Sequence, residues 1–186
     1  MKKYTLEDFK GFGIVKGRIQ CPSGDYSAIN SFPDLCSFGE RCSFGEGCSF
    51  GEWCSFGKRC SFGKWCSFGK WCSLGEGCSF GKWCSFGEGC SFGKWCSFGE
   101  ECSFGERCSF GGGCAICENK MLDTFVRSVS GLGNEKRTLY LWNTENGWFA
   151  QAGCFFGSES EFVEAVNKKY GEDHQYIKAL EFLKTL

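Results

Sequence analysis

Along most of the chain, apolar and polar positions recur with a period of six. From residue 36 to residue 113 the unit Cys-Ser-Phe-Gly-[Glu/Lys]-x repeats without an insertion, with cysteines at 36, 42, 48, 54, 60, 66, 72, 78, 84, 90, 96, 102 and 108. The Phe phase reaches outward through Tyr26 and Phe32 on one side and Ile116 and Leu122 on the other, so the regular region is predicted to span about 26–118. Six fits neither an amphipathic helix, whose faces recur at 3.6, nor a five-residue solenoid repeat. In x-Cys-Ser-Phe, strand alternation turns Cys and Phe inward and x and Ser outward. Gly and the next charged residue make a corner, and a left-handed backbone is expected at the glycines from Gly39 to Gly111. Three units close a triangular coil, stacking residues 18 apart in the sequence at the strand spacing of about 4.8 Å.

Read from Phe, the unit Phe-Gly-x-x-Cys-Ser resembles the hexapeptide repeat of left-handed parallel β-helices. Phe stands where an aliphatic residue is usual, and only Leu74 is ordinary. The resemblance implies a mainly β chain built on a left-handed parallel β-helix, a triangular β-solenoid. Open solenoid ends need covering. Residues 1–25 are read as an N-terminal cap, with a helix signal at Thr5-Leu6-Glu7-Asp8 and one strand over Phe12 to Ile19. Residues 26–118 are the solenoid, and residues 119–186 a small α+β domain.

In that last region, strands are predicted over Leu122 to Val129, Arg137 to Asn143 and Trp148 to Phe155, the last two joined by a hairpin at Glu145-Asn146-Gly147. A capping box at Ser158-Glu159-Ser160-Glu161 opens a helix that Gly171 ends, and a second helix begins near Asp173. The segments Leu139-Tyr140-Leu141-Trp142, Gly153-Cys154-Phe155-Phe156-Gly157 and Tyr176 to Leu183 resemble the C-terminal part of small uncharacterised proteins of bacteriophages and prophages. That resemblance implies a viral origin and a host-directed role, and it carries no catalytic signature.

Composition narrows the function. The 186 residues hold 21 Lys+Arg against 22 Asp+Glu, a net charge of −1, which argues against a general nucleic-acid binder. No apolar run approaches a membrane span, and the N-terminus lacks a signal peptide's apolar core, so a cytoplasmic protein of the host bacterium with no membrane partner is expected. The 17 cysteines are odd in number. They are expected as free thiols that fill space between Phe rings. Cys114-Ala-Ile-Cys117 is a lone C-x-x-C, without the second pair or the histidine that a zinc site needs.

Left-handed β-helices include acyltransferases and gamma-class carbonic anhydrases, which work through coil histidines and inserted loops. This chain has neither. Its one histidine, His174, is read as a solvated residue of the last helix, and no general base accompanies the repeat serines. A non-enzymatic protein without cofactor or metal is expected.

The outward positions carry the remaining signal. Stacking by 18 places Glu40, Lys58, Glu76 and Lys94 in one column of alternating sign. The next position along each unit carries Trp53, Trp65, Trp71, Trp83 and Trp95, together with Arg41 and Arg59, and Lys64 and Lys82 precede two of the indoles. Trp and Arg are the residues most enriched at binding hot spots. These nine residues are the candidate partner-binding set, for a host protein such as a defence component. Two alternatives stand beside it: a nucleotide or single-stranded nucleic-acid binder, with Lys on phosphate and Trp stacked on bases, and a self-assembling solenoid whose Trp columns form the subunit seam.

Overall fold

The computed structural model describes residues 1–105, 107–116, 119–122, 127–134, 136–152, 155–171 and 174–186. The chain divides into two compact units, Met1–Glu118 and Asn119–Leu186. The first is a parallel β-solenoid of about five turns. Its short strands, most of them two-residue Ser-Phe pairs, lie in three sheets, one of them five-stranded from Ser31–Phe32 to Ser103–Phe104. Register follows the 18-residue step throughout: Ser73 pairs with Ser55, Ser79 with Ser61 and Ser85 with Ser67. The corners are tied as well, since the amide of Trp53 donates to the carbonyl of Lys70 and that of Trp71 to Glu88, both at 2.9 Å.

Cys and Phe point inward, and every repeat Cys and Phe is buried. The Phe rings form three columns. Within a column they stack in parallel, as Phe44 does on Phe62 at 4.8 Å, and between columns they meet edge to face, as Phe44 meets Phe50 at 4.9 Å and 88°. This herringbone uses the attractive geometry of aromatic quadrupoles in both directions. It also explains why a flat ring suits this inward position. The thiols occupy the space between rings and corners, and from Cys60 to Cys114 each donates to a glycine carbonyl 21 residues back, as Cys72 does to Gly51 at 3.4 Å and Cys84 to Gly63 at 3.4 Å. Fifteen cysteines are free and buried. Hydrogen bonding to the thiols above and below, followed by burial, pushes Cys60, Cys72 and Cys84 up from the ordinary thiol range, so they stay protonated.

The corner differs from the sequence expectation in one respect. The glycine after Phe is not left-handed at any unit; the left-handed residue is the one two places later, at Arg41, Trp53, Arg59, Trp65, Trp71, Trp83, Trp95, Glu101 and Arg107 and at Gly47, Gly77, Gly89 and Gly113. Glycine is required after Phe because successive corners touch. A Cβ at Gly57 would sit 2.7 Å from the amide nitrogen of Glu40, and one at Gly93 would sit 2.6 Å from that of Glu76.

The first turn is covered by the N-terminal residues. Helix α1 (Leu6–Lys10) starts at a Thr5 capping box closed by Asp8. Tyr4 stacks on Tyr26 at 4.9 Å, and Phe9 meets Phe32 edge-on at 5.5 Å, so the aromatic interior ends under aromatic side chains. The stretch expected as one strand is a tight hairpin, Ile14–Val15 with Arg18–Cys21, because Lys16 and Gly17 both adopt positive φ. Arg18–Cys21 then opens the parallel stacking on Cys36–Phe38. At the far end Ile116 pairs with Phe98 and keeps the interior phase, whereas Leu122 is exposed and does not.

The second unit is a four-stranded antiparallel sheet, in the order Arg127–Leu132, Arg137–Thr144, Gly147–Ala152 and Phe155–Ser158, packed against helices α2 (Glu159–Tyr170) and α3 (Gln175–Thr185). Leu139, Leu141, Ala150, Phe162, Val166, Leu180 and Leu183 form its core. The hairpin and the Ser158 capping box with Glu161 lie where the sequence places them. The stretch expected as one strand over Trp148 to Phe155 is divided in two; of Leu122 to Val129, Leu122 is not in a strand and Arg127 to Val129 are, and residues 123–126, 153 and 154 lie outside the described residues.

Candidate binding surface on the solenoid corners

The coil order distributes the nine candidate residues over three corners. One corner carries Trp65 and Trp83 with Lys64 and Lys82; a second carries Trp53 and Trp71; the third carries Arg41, Arg59 and Trp95. Trp65 and Trp83 stack at 5.4 Å and 9°, and Trp53 and Trp71 at 5.7 Å and 18°. Lys64 lies with its Nζ 5.9 Å from the Trp65 ring, while Lys82 pairs with Glu100 one coil on.

The first two corners border the same sheet. Along one coil Trp65 precedes the strand Ser67–Phe68 and Trp71 follows it; Trp83 precedes Ser85–Phe86, and Trp53 follows Ser49–Phe50. The five-stranded sheet is therefore edged on both sides by a pair of stacked indoles, with exposed Ser67 and Ser85 between them. The third corner is separate from this face. Trp95 is the most exposed indole, at 63% against 38–54% for the other four.

All five indoles stand on left-handed residues, with φ between 57 and 60°. That conformation costs a residue with a Cβ about 1–2 kcal/mol, and four equivalent corners use glycine instead. The corner itself does not need the ring. At Gly89 and Gly113 the Trp of the preceding coil lies over the glycine: a Cβ at Gly89 would be 2.3 Å from the Trp71 ring, and one at Gly113 would be 2.4 Å from the Trp95 ring. At Gly77 such a Cβ meets only Cγ of Arg59, at 3.6 Å. Sequence reasoning passed over this gap; the signal was present, since Gly77 interrupts the 18-residue column Arg41, Arg59, Gly77, Trp95.

Charges on the corners pair between coils, but not along whole columns. Lys58 meets Glu76 at 3.0 Å and Lys70 meets Glu88 at 3.3 Å, whereas Glu40 and Lys94 close no ion pair among the described residues. Such exposed pairs are each worth at most about 1 kcal/mol. No group of three or more His, Cys, Asp or Glu among the described residues is arranged to hold a metal ion. Cys114 is a buried free thiol; Cys117 lies outside the described residues. His174 is the N-cap of α3 rather than a residue within it. Its Nδ1 accepts from the Tyr176 amide at 3.4 Å, and its ring stacks on Tyr170 at 4.4 Å and Tyr176 at 5.2 Å. Among the described residues, no helix is long and apolar enough to cross a membrane.

Compared with protein-family models, curated proteins and solved structures, the chain matches none.

Proposed function

We propose that this is a non-enzymatic binding protein, carried by a bacteriophage or prophage, that engages a host protein in the bacterial cytoplasm and inhibits a defence component. The partner seats against the five-stranded sheet between the Trp65/Trp83 and Trp53/Trp71 pairs. The observation that carries this reading is the placement of large, half-exposed indoles on left-handed corners, where glycine is the less strained residue. Hydrogen bonds and herringbone rings hold the scaffold without them, so their value lies in what they present. Two stacked pairs on one rigid face supply the large, preorganised aromatic area typical of hot spots.

A tagged copy expressed in bacteria is expected to co-purify with a specific protein, and Trp65→Ala combined with Trp83→Ala is expected to release it. Full retention by the double variant would refute this surface. Light scattering at high protein concentration separates the reading from self-assembly: a monomer leaves the face free for another protein, and a trimer covering it does not.

A further inference from the structure

The third corner carries a site of different chemistry, independent of the protein-docking face. We infer that the notch at Gly77 takes the base of a purine nucleoside monophosphate, stacked between the Arg59 guanidinium and the Trp95 indole. Arg59, Gly77 and Trp95 occupy the same corner on three successive coils. Two strand spacings, about 9–10 Å, separate the flanking residues. Stacked indoles elsewhere on the solenoid lie 5.4 and 5.7 Å apart, so the missing level has room for one planar ring. A purine has the fused two-ring footprint of the indole it would lie on.

The gap is specific to this position. Gly89 and Gly113 are covered by Trp71 and Trp95. Gly47 is open, but the residue one coil before it is buried Ile29, which presents no flat group. Gly89 is also bracketed by an indole and a guanidinium, Trp71 and Arg107, but the Trp71 ring already fills its level, whereas the level at Gly77 between Arg59 and Trp95 is open. One open level accepts one base, which disfavours a run of stacked nucleotides along a strand.

Charge selects the rest of the ligand. The notch opens into a groove of about 720 Å³ lined by Glu40, Arg41, Lys58, Arg59, Glu76 and Trp95. Lys58 is engaged by Glu76 at 3.0 Å, while Arg41 and Arg59 form no ion pair among the described residues. Three cations against two carboxylates leave one positive charge, suited to a single phosphate rather than a triphosphate. Arg binds phosphate through paired N–H donors and stacks on aromatic faces, so Arg59 can hold the base while Arg41 receives the phosphate.

The test uses the full chain and AMP, followed by calorimetry and Trp fluorescence. Gly77→Trp fills the notch with a side chain that five equivalent left-handed corners already accommodate, so it is expected to fold with an unchanged melt. Wild type is expected to bind AMP more tightly than adenosine or inorganic phosphate. Gly77→Trp and Arg59→Ala are each expected to weaken AMP at least about tenfold, while Trp65→Ala leaves it unchanged. The inference is overturned if wild type shows no AMP binding at about 1 mM, if Gly77→Trp binds as well as wild type, or if inorganic phosphate binds as well as AMP. Loss of AMP binding with partner capture intact, or the reverse, shows which of the two surfaces has failed.

Discussion

Replacing Trp65 by glycine and by alanine separates what an indole does for the fold from what it does for a partner. Removing the ring loses its stack on Trp83 at 5.4 Å. Such a pair is worth about 0.5–1.5 kcal/mol beyond area burial. Alanine keeps the left-handed strain at φ 57° and should be destabilised by about that amount. Glycine relieves about 1–2 kcal/mol of strain and gives back about 0.5–1 kcal/mol in unfolded-chain entropy. Trp65→Gly should therefore lie within about 1 kcal/mol of wild type and be more stable than Trp65→Ala. In a chain of this length that is a shift of about 2–4 °C or less in Tm. Urea unfolding followed by circular dichroism, with midpoints compared at equal slope, reads the difference. A loss above about 3 kcal/mol for Trp65→Gly would show that the indoles hold the solenoid together, and the argument from strain to binding would fail.

Other consequences are as direct. Gly69→Ala places a Cβ 2.7 Å from the Glu52 amide nitrogen and should cost about 1–3 kcal/mol or prevent folding, whereas Gly47→Ala, with nothing within 4 Å, should cost only its left-handed strain; paired urea titrations decide. Phe62→Ala empties a site in the ring column and should cost about 3–5 kcal/mol, against less than about 1.5 kcal/mol for Phe62→Leu, since Leu74 already stands in a neighbouring column. The 15 cysteines among the described residues are all buried, so a thiol reagent should leave these unlabelled in the native chain and label them in denaturant, as counted by mass spectrometry. Hydrogen bonds from Ser158 hold the Glu161 carboxyl below its usual range, and those from Thr5 do the same for Asp8. The stability these caps contribute is present above about pH 4 and is lost as pH falls through the depressed folded values, and acid titration of Ser158→Ala should show a shallower fall than wild type.

The solenoid was legible because each of its causes repeats. An unbroken period of six fixed the inward Cys and Phe, and the 18-residue step fixed which residues stack; both follow from strand alternation and coil closure alone. The corner was less legible. Glycine after Phe reads as a backbone requirement, but a sequence shows neither φ nor the 2.7 Å approach of one corner to the next, and it assigned the left-handed residue two positions too early. The same confusion hid the meaning of the indoles, whose strain appears only once their φ is known. The stacked pairs were readable by counting, but their placement along both edges of one sheet, with Trp95 elsewhere, requires the order of corners around the coil. In the second unit the Ser158 cap and the hairpin are local and were readable, whereas the role of His174 depends on Tyr170 and Tyr176 closing around it.

The central claim, that a dry interior of rings and thiols presents indoles outward for a partner, is tested most directly by oxidative footprinting of tryptophan in the free chain and in the captured complex. The expected result is that Trp53, Trp65, Trp71, Trp83 and Trp95 are oxidised in the free chain while Trp142, fully buried, is spared, and that the Trp65/Trp83 and Trp53/Trp71 pairs become protected in the complex. Corner indoles spared in the free chain, or oxidised equally in the complex, would contradict it.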